Sequence, residues 1–386
     1  MTTYLVTGGA GFIGSNYILY MLKKYGAQIR VINLDDLTYA GNLENLEEAS
    51  GLPNYSFVKA DICDRAAVES VFSDCGIDCV VHFAAESHVD RSIKSPDVFV
   101  RTNVLGTQTL LDAAKKSWER PQKAVESDGP AAGAKAAEAA ETDGGGWAHG
   151  KKFVHVSTDE VYGALGATGF FTEETPLDPH SPYSATKAGS DLLVKAYWDT
   201  YRMPVNITRC SNNYGPYQFP EKLIPLIIRN ALNGLALPVY GDGLQVRDWL
   251  YVGDHARAID LVARNGRPGE VYNIGGNNEK FNIDIVRTII ATLRELLPDH
   301  DPRRAAVSED LIRHVEDRKG HDRRYAIDAQ KIRGALGWEP ETDFSDGIRR
   351  TVRWYLEHEA WVQNVTSGAY VGYYQEMYGD RKEQSS

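Results

Sequence analysis

Cysteine is scarce in this chain: Cys63, Cys75, Cys79 and Cys210 are the four among 386 residues. They form no Cys-x-x-Cys pair and no cluster with histidine, which excludes a disulfide scaffold or a thiolate metal site. Reduced, buried thiols of a cytoplasmic protein are the expectation. Long apolar runs are also missing, and none approaches the roughly 20 residues of a membrane helix. The N-terminus, Met1-Thr2-Thr3-Tyr4, lacks the basic segment and apolar core of a secretory signal. Positive charge is outweighed, with 42 Lys and Arg against 53 Asp and Glu and a net charge of −11. That balance argues against a nucleic-acid binder but leaves room for local basic pockets. His88, His155 and His321 show no ligand spacing, so no metal is expected, and His82 reads as structural.

What remains is an ordinary globular composition, 42% hydrophobic and 25% charged, which excludes global disorder. Short apolar runs alternate with helical stretches. Tyr4–Thr7, Ile29–Leu34, Tyr55–Lys59, Cys79–Phe83 and Phe153–Ser157 read as strands, with a helix from about Phe12 to Lys24. A βαβ rhythm of this kind predicts a parallel sheet covered on both faces. Ser95-Pro96 opens a long helix reaching Lys116, because proline suits a first helical turn. Between Gly129 and Gly146, Ala and Gly fill 12 of 18 positions. Such a segment cannot bury a large apolar face, so residues 117–150 read as a surface insertion. After Val205–Arg209, Pro216, Pro220, Pro225 and Pro238 punctuate shorter elements, which predicts a second lobe.

Gly8-Gly9-Ala10-Gly11-Phe12-Ile13-Gly14 follows a strand and opens a helix. Glycine there lets a pyrophosphate approach the backbone, and the helix start offers free N–H groups. Asp35, 21 residues beyond Gly14 and ending the next strand, suits ribose hydroxyls and repels a 2′-phosphate; Asp36 adds to that repulsion. NAD is therefore favoured over its phosphorylated form. Asp61-Ile62, after the third strand, is placed to meet the adenine. The fold class expected is α/β: a Rossmann-type doubly wound parallel sheet with a smaller α/β C-terminal substrate lobe. Residues 1–205 would be the NAD-binding domain. Residues 206–386 would mainly form the substrate lobe, with some segments returning to the first.

Tyr183 and Lys187 lie four apart, on one face of a helix. A cation beside a phenol favours phenolate, which can take a proton from an alcohol as hydride leaves the same carbon. Thr158, Asp159 and Glu160 end a predicted strand, where chemistry gathers in open α/β sheets. Thr158 is suited to bond the reacting hydroxyl. Two adjacent carboxyls tend to differ in protonation, one acting as acid and the other as base.

These motifs together resemble the extended short-chain dehydrogenase/reductases, and among them the dTDP-glucose 4,6-dehydratases. The markers are TGGAGFIGS from Thr7, HFAAESHVDRSI from His82, STDEVYG from Ser157 and SPYSATKAGSD from Ser181. RCSNNYGPYQFPEKLIP from Arg209, VRDWLYVGDH from Val246 and DRKGHDRRYAID from Asp317 complete them. The resemblance covers nearly the whole chain apart from the Ala/Gly insertion. It implies that dTDP-glucose is oxidised at C4, loses water across C5 and C6, and regains the hydride at C6. Tyr183 with Lys187 and Thr158 would serve the oxidation, Glu160 would take the C5 proton, and Asp159 would protonate the departing hydroxyl.

By the same resemblance, the cofactor NAD is held first by Gly8, Gly11, Phe12, Ile13 and Gly14. Asp35, Asp36, Leu37, Thr38, Asp61 and Ile62 follow, then Phe83, Ala84, Ala85 and Ser87. Thr102, Tyr183, Lys187 and Asn213 complete its site. The nucleotide sugar would meet Ser87, Thr158, Asn212, Lys222, Leu223 and Asn282, together with Asp317, Arg318 and His321. Arg247 and Arg318 are suited to forked contacts with its diphosphate. Pro238, Val239 and Tyr240 would flank the thymine. A homodimer is implied, formed through a four-helix interface from the helices at Pro96 and Tyr183. A dehydratase for another nucleotide hexose, a 4-epimerase, or a non-catalytic nucleotide-sugar binder are the alternatives. Asp159-Glu160 argues against the epimerase.

Overall fold

A computed structural model describes residues 1–120, 146–317 and 320–367. Arg318 and most of the 117–150 insertion lie outside the described residues.

Seven strands form one parallel sheet: β1 (Thr2–Thr7), β2 (Ile29–Asp35), β3 (Tyr55–Lys59), β4 (Cys79–His82), β5 (Lys152–Thr158), β6 (Val205–Cys210) and β10 (Val271–Ile274). Their spatial order is β10-β6-β5-β4-β1-β2-β3. Alternation along β1 sends Tyr4 and Val6 into one core and Leu5 into another, so both faces of the sheet are covered. Strand order reverses at β1, which lies between β4 and β2. Such a reversal opens a crevice at the carboxyl ends of the strands.

The remaining strands are β7 (Asn212–Tyr214), β8 (Leu237–Tyr240), β9 (Val246–Tyr251), β11 (Glu279–Phe281) and β12 (Ile312–Val315). They build two small sheets, β11-β9-β7 and β12-β8. A separate apolar core fills this part, with Ile227, Ile285, Ile289 and Val352 buried together.

The expected helix at Pro96 is longer and less regular than its sequence suggests. Pro96–Phe99 is α-helical, Val100–Gly106 winds as a π-helix, and Thr107–Trp118 returns to α. A wider turn of this kind is common at functional sites. Here Thr107 donates back to the carbonyl of Asn103 at 2.6 Å. The Asn103 side chain reaches Thr186 at 2.9 Å on the helix Pro182–Tyr201.

Where the insertion leaves and rejoins the fold, Trp118 and Trp147 are buried. Arg120 N–H donates to the carbonyl of Gly146 at 2.9 Å, and Ala148 N–H to that of Trp118 at 3.0 Å. The base of the insertion is therefore closed by backbone bonds.

Candidate active site

A cavity of about 470 Å³ runs along the crevice, from the glycine turn to the end of β5. Gly8 sits at φ +68, and a Cβ there would come within 2.6 Å of the Ala84 backbone. At Gly14 a Cβ would meet the Gly8 carbonyl at 2.3 Å. Both positions thus require glycine, and the turn presses tightly onto the segment directly after β4. The helix Phe12–Tyr25 starts at Gly11 with no side-chain cap and no acidic residue in its first turn. Its first N–H groups and positive dipole end suit a pyrophosphate. Asp35 accepts from Ala10 N–H at 2.9 Å and Leu37 N–H at 2.8 Å, so it ties the glycine turn to the end of β2. Burial raises its pKa, against the lowering effect of those two bonds. Leu37 is held at φ 56, an uncommon conformation for a non-glycine residue. Asp61 accepts from Cys63 N–H at 2.8 Å and Arg101 at 3.0 Å.

Gly8, Gly11, Phe12, Ile13, Gly14, Asp35, Asp36, Thr38, Asp61 and Ile62 all line this cavity. Phe83, Ala84, Ala85, Ser87, Thr102 and Asn213 join them on its walls. Leu37 does not. The glycine cradle, the uncapped helix start and Asp35 together fit a dinucleotide.

The catalytic candidates meet at the other end. Ser181 caps the helix Pro182–Tyr201 with a reciprocal capping box, which fixes its first turn and hence Tyr183. Thr158, Asp159, Glu160, Tyr183 and Lys187 line the same cavity. Thr158 Oγ1 lies 3.3 Å from Asp159 Oδ1 and accepts from Glu160 N–H at 3.3 Å. Asp159 is 2% exposed, and its Oδ2 has no hydrogen-bond partner among the described residues. Burial raises its pKa well above the carboxylate range, Glu160 and Asp248 push it further, and Arg247 opposes them. Burial and the neighbouring Glu160 thus favour the protonated form of Asp159.

Lys187 is buried on the same helix as Tyr183. Its ammonium donates to the carbonyl of Val156 at 2.7 Å, and burial lowers its pKa to about 8. The Tyr183 phenol is pushed well above its usual range by burial, then by Glu160 and Cys210; a bond with Thr158 pulls the other way. In the chain alone burial therefore favours the protonated phenol. Beneath Lys187, Asp191 accepts from Arg209 Nε at 2.8 Å and faces His155 at 3.4 Å. Arg209 also donates to the Tyr162 hydroxyl at 2.9 Å. His82 bridges Thr7 at 2.7 Å and Thr107 at 2.9 Å, a structural placement.

Residues expected at the nucleotide sugar divide into two groups. Ser87, Asn212 and Lys222 line the cavity, and Lys222 Nζ donates to the Ser87 carbonyl at 3.0 Å. Leu223 begins the next helix. A second group lies outside the cavity wall, around β8, β9 and the segment after β12. Tyr240 meets the His321 ring edge-on at 6.1 Å, and His321 Nδ1 lies 2.6 Å from Asp317 Oδ1. Arg247 donates to the carbonyls of Val246 at 2.8 Å and Asp322 at 2.9 Å, with its guanidinium 4.2 Å over Tyr325. The charge of Arg247 lowers the pKa of Asp159, against burial. Pro238 and Val239 are buried in the sheet, Val239 at 2% exposure, so of the three only Tyr240 is half-exposed. Asn282 Oδ1 and Gln245 Oε1 are buried there without a partner among the described residues.

Several neighbours escaped the sequence reading. Gln218 and Cys210 line the cavity, and Gln218 Oε1 is another buried oxygen without a partner among the described residues. Both lie inside the stretch RCSNNYGPYQFPEKLIP, so the motif contained the signal. Tyr325 likewise lies inside DRKGHDRRYAID, whereas Gln245, one residue before VRDWLYVGDH, had no such signal.

The GDP-mannose 4,6 dehydratase family model matches residues 5–351. A dTDP-glucose 4,6-dehydratase of Neisseria meningitidis is 52% identical over 372 residues, covering 96% of this chain and 98% of that protein. DesIV, a dTDP-glucose 4,6-dehydratase from Streptomyces venezuelae solved with NAD and TYD bound, aligns with a TM-score of 0.80. It is 44% identical, covering 94% of this chain and 100% of that one. A Bacillus anthracis dTDP-glucose 4,6-dehydratase solved with NAD has a TM-score of 0.77 and 46% identity, covering 95% and 100%. The chain belongs to the GDP-mannose 4,6 dehydratase family and, within that likeness, to the dTDP-glucose 4,6-dehydratases.

Proposed function

We propose that this chain converts dTDP-glucose to dTDP-4-keto-6-deoxyglucose and water. The observation that carries the proposal is Asp159, a buried carboxyl whose pKa burial and Glu160 raise, in one cavity with Glu160, Tyr183 and Lys187. A C5–H bond is not acidic while C4 is an alcohol. Once C4 is a ketone, that hydrogen lies α to a carbonyl and ionises. NAD, when bound, supplies an acceptor that takes hydride from C4 and returns it to C6, and its oxidised form adds positive charge near the phenol.

Tyr183 takes the O4 proton as phenolate, with Thr158 bonded to it. Glu160 takes the C5 proton, and Asp159 gives its proton to the C6 hydroxyl, which leaves as water. Glu160 then returns its proton to C5 as hydride reaches C6. The proton gained at Tyr183 balances the one lost from Asp159, and transfer through solvent resets both.

The glycine turn, Asp35 and the other residues assigned to NAD form the cofactor half, all within residues 1–205 except Asn213. Asn212, Lys222, Tyr240, Arg247, Asn282, Asp317 and His321 form the nucleotide-sugar half within 206–386. The partnerless oxygens of Asn282 and Gln245 support a polar ligand in that half. Exposed Val100, Leu105 and Leu192, on the helical stretch from Pro96 and the helix Pro182–Tyr201, support a homodimer through those helices. No described helix is long and apolar enough to cross a membrane, and a cytoplasmic location agrees with four free thiols.

Incubation with dTDP-glucose, followed by alkali, develops the absorbance of a 4-keto sugar. UDP-glucose and GDP-mannose in parallel give much slower conversion. Recovery of intact dTDP-glucose would contradict the proposal.

A further inference from the structure

The loop after β2 and the loop before the helix Leu223–Leu232 wall the same cavity: Thr38, Ala40 and Gly41 on one, Phe219 and Glu221 on the other. They are joined by side chains that take no part in the chemistry above. Tyr39 donates its hydroxyl to Glu221 Oε1 at 3.1 Å, and its ring meets Phe219 edge-on at 5.7 Å. Arg91, from the helix Val89–Lys94, donates to Glu221 Oε2 at 3.3 Å. The guanidinium lies 3.7 Å over the Tyr39 ring. Glu221 is buried, at 4% exposure.

A buried carboxylate is costly unless its oxygens are bonded, so these contacts hold or fail as a unit. The Tyr39 loop directly follows Asp35, on the cofactor side of the cavity. A dinucleotide leaving past that loop requires it to part from Glu221 and Phe219.

We propose that Tyr39, Glu221 and Arg91 form a clasp that retains the dinucleotide between hydride removal and hydride return. The proposal rests on the reading that this chain keeps NAD through its cycle. The three residues act by holding two loops together and touch no reacting atom. Loss of the clasp therefore changes how long the cofactor stays and leaves the chemical steps intact.

The test uses the full chain, loaded with NAD, beside Tyr39→Phe and Glu221→Gln. Tyr39→Phe keeps the ring and its stacking, so it preserves the fold while removing one bond. Bound nucleotide is counted after gel filtration into NAD-free buffer, and exchange is followed with labelled NAD. A charge-assisted bond in a buried site predicts exchange about tenfold faster or more in each variant. Turnover at saturating added NAD stays within about twofold of the parent by the same argument, since no catalytic group is lost. Equal exchange rates in all three folded proteins would overturn the clasp, as would a loss of turnover that added NAD does not restore. A parent chain that never binds NAD would instead overturn the reading beneath it.

Discussion

Lys187 donates its ammonium to the carbonyl of Val156 at 2.7 Å, two residues before Thr158, while Tyr183 sits one helical turn earlier. The lysine is thereby anchored to β5, the strand that leads into Asp159 and Glu160. Burial lowers its pKa to about 8, and the Asp191 carboxylate opposes that fall. Below about pH 8 the ammonium is intact; above it the charge is lost. Activity should therefore decline on the alkaline side near that value. Asp191→Asn should move the decline to lower pH, with thermal unfolding measured alongside because Arg209 loses its partner. An unmoved alkaline limb in a folded variant would separate Asp191 from Lys187.

Asp159 and Glu160 should fail at different steps. Asp159→Asn removes the proton donor for the C6 hydroxyl, so conversion should fall about 10²–10⁴-fold while C4 oxidation persists. Borohydride quenching and mass spectrometry would then detect trapped 4-ketoglucose nucleotide. Glu160→Gln should abolish exchange of the C5 hydrogen with deuterated water. Equal loss of oxidation and elimination in the Asp159 variant would argue against the assignment.

Gly8→Ala places a methyl 2.6 Å from the Ala84 backbone at φ +68. Strain of about 1–3 kcal/mol is expected from the left-handed conformation alone. The variant should unfold at lower temperature and retain less NAD, read by calorimetry and by nucleotide released on denaturation.

The insertion predicts the opposite outcome. Because bonds from Arg120 to Gly146 and from Ala148 to Trp118 close its base, replacing residues 121–145 with a short Gly/Ser turn should leave the fold intact. Turnover should stay within about twofold, as expected when the bonds that close the base lie outside the replaced segment. A large loss of either activity or stability would assign the segment a role.

Much of this molecule was legible from residue patterns, for reasons that differ by element. β1 to β5 could be read because buried parallel strands are short apolar runs between turns. The glycine turn and Asp35 could be read because their spacing serves one geometry. The π-helical winding at Val100–Gly106 leaves no such trace, since no residue type enforces it. Lys187 facing Val156 was equally hidden: i, i+4 spacing puts it on the Tyr183 face but does not choose its acceptor. Gln245 lies outside every quoted motif and meets Asp317 only through a contact 72 residues away in the chain, which no local pattern encodes.

The central claim is that a transient ketone at C4 makes the elimination possible. Deuterium placed at C4 of dTDP-glucose tests it most directly. Mass spectrometry and NMR of the product should find that label in the C6 methyl group, with water of normal isotopic content. Deuterium released to solvent, or product formed with an unlabelled methyl group, would contradict the account.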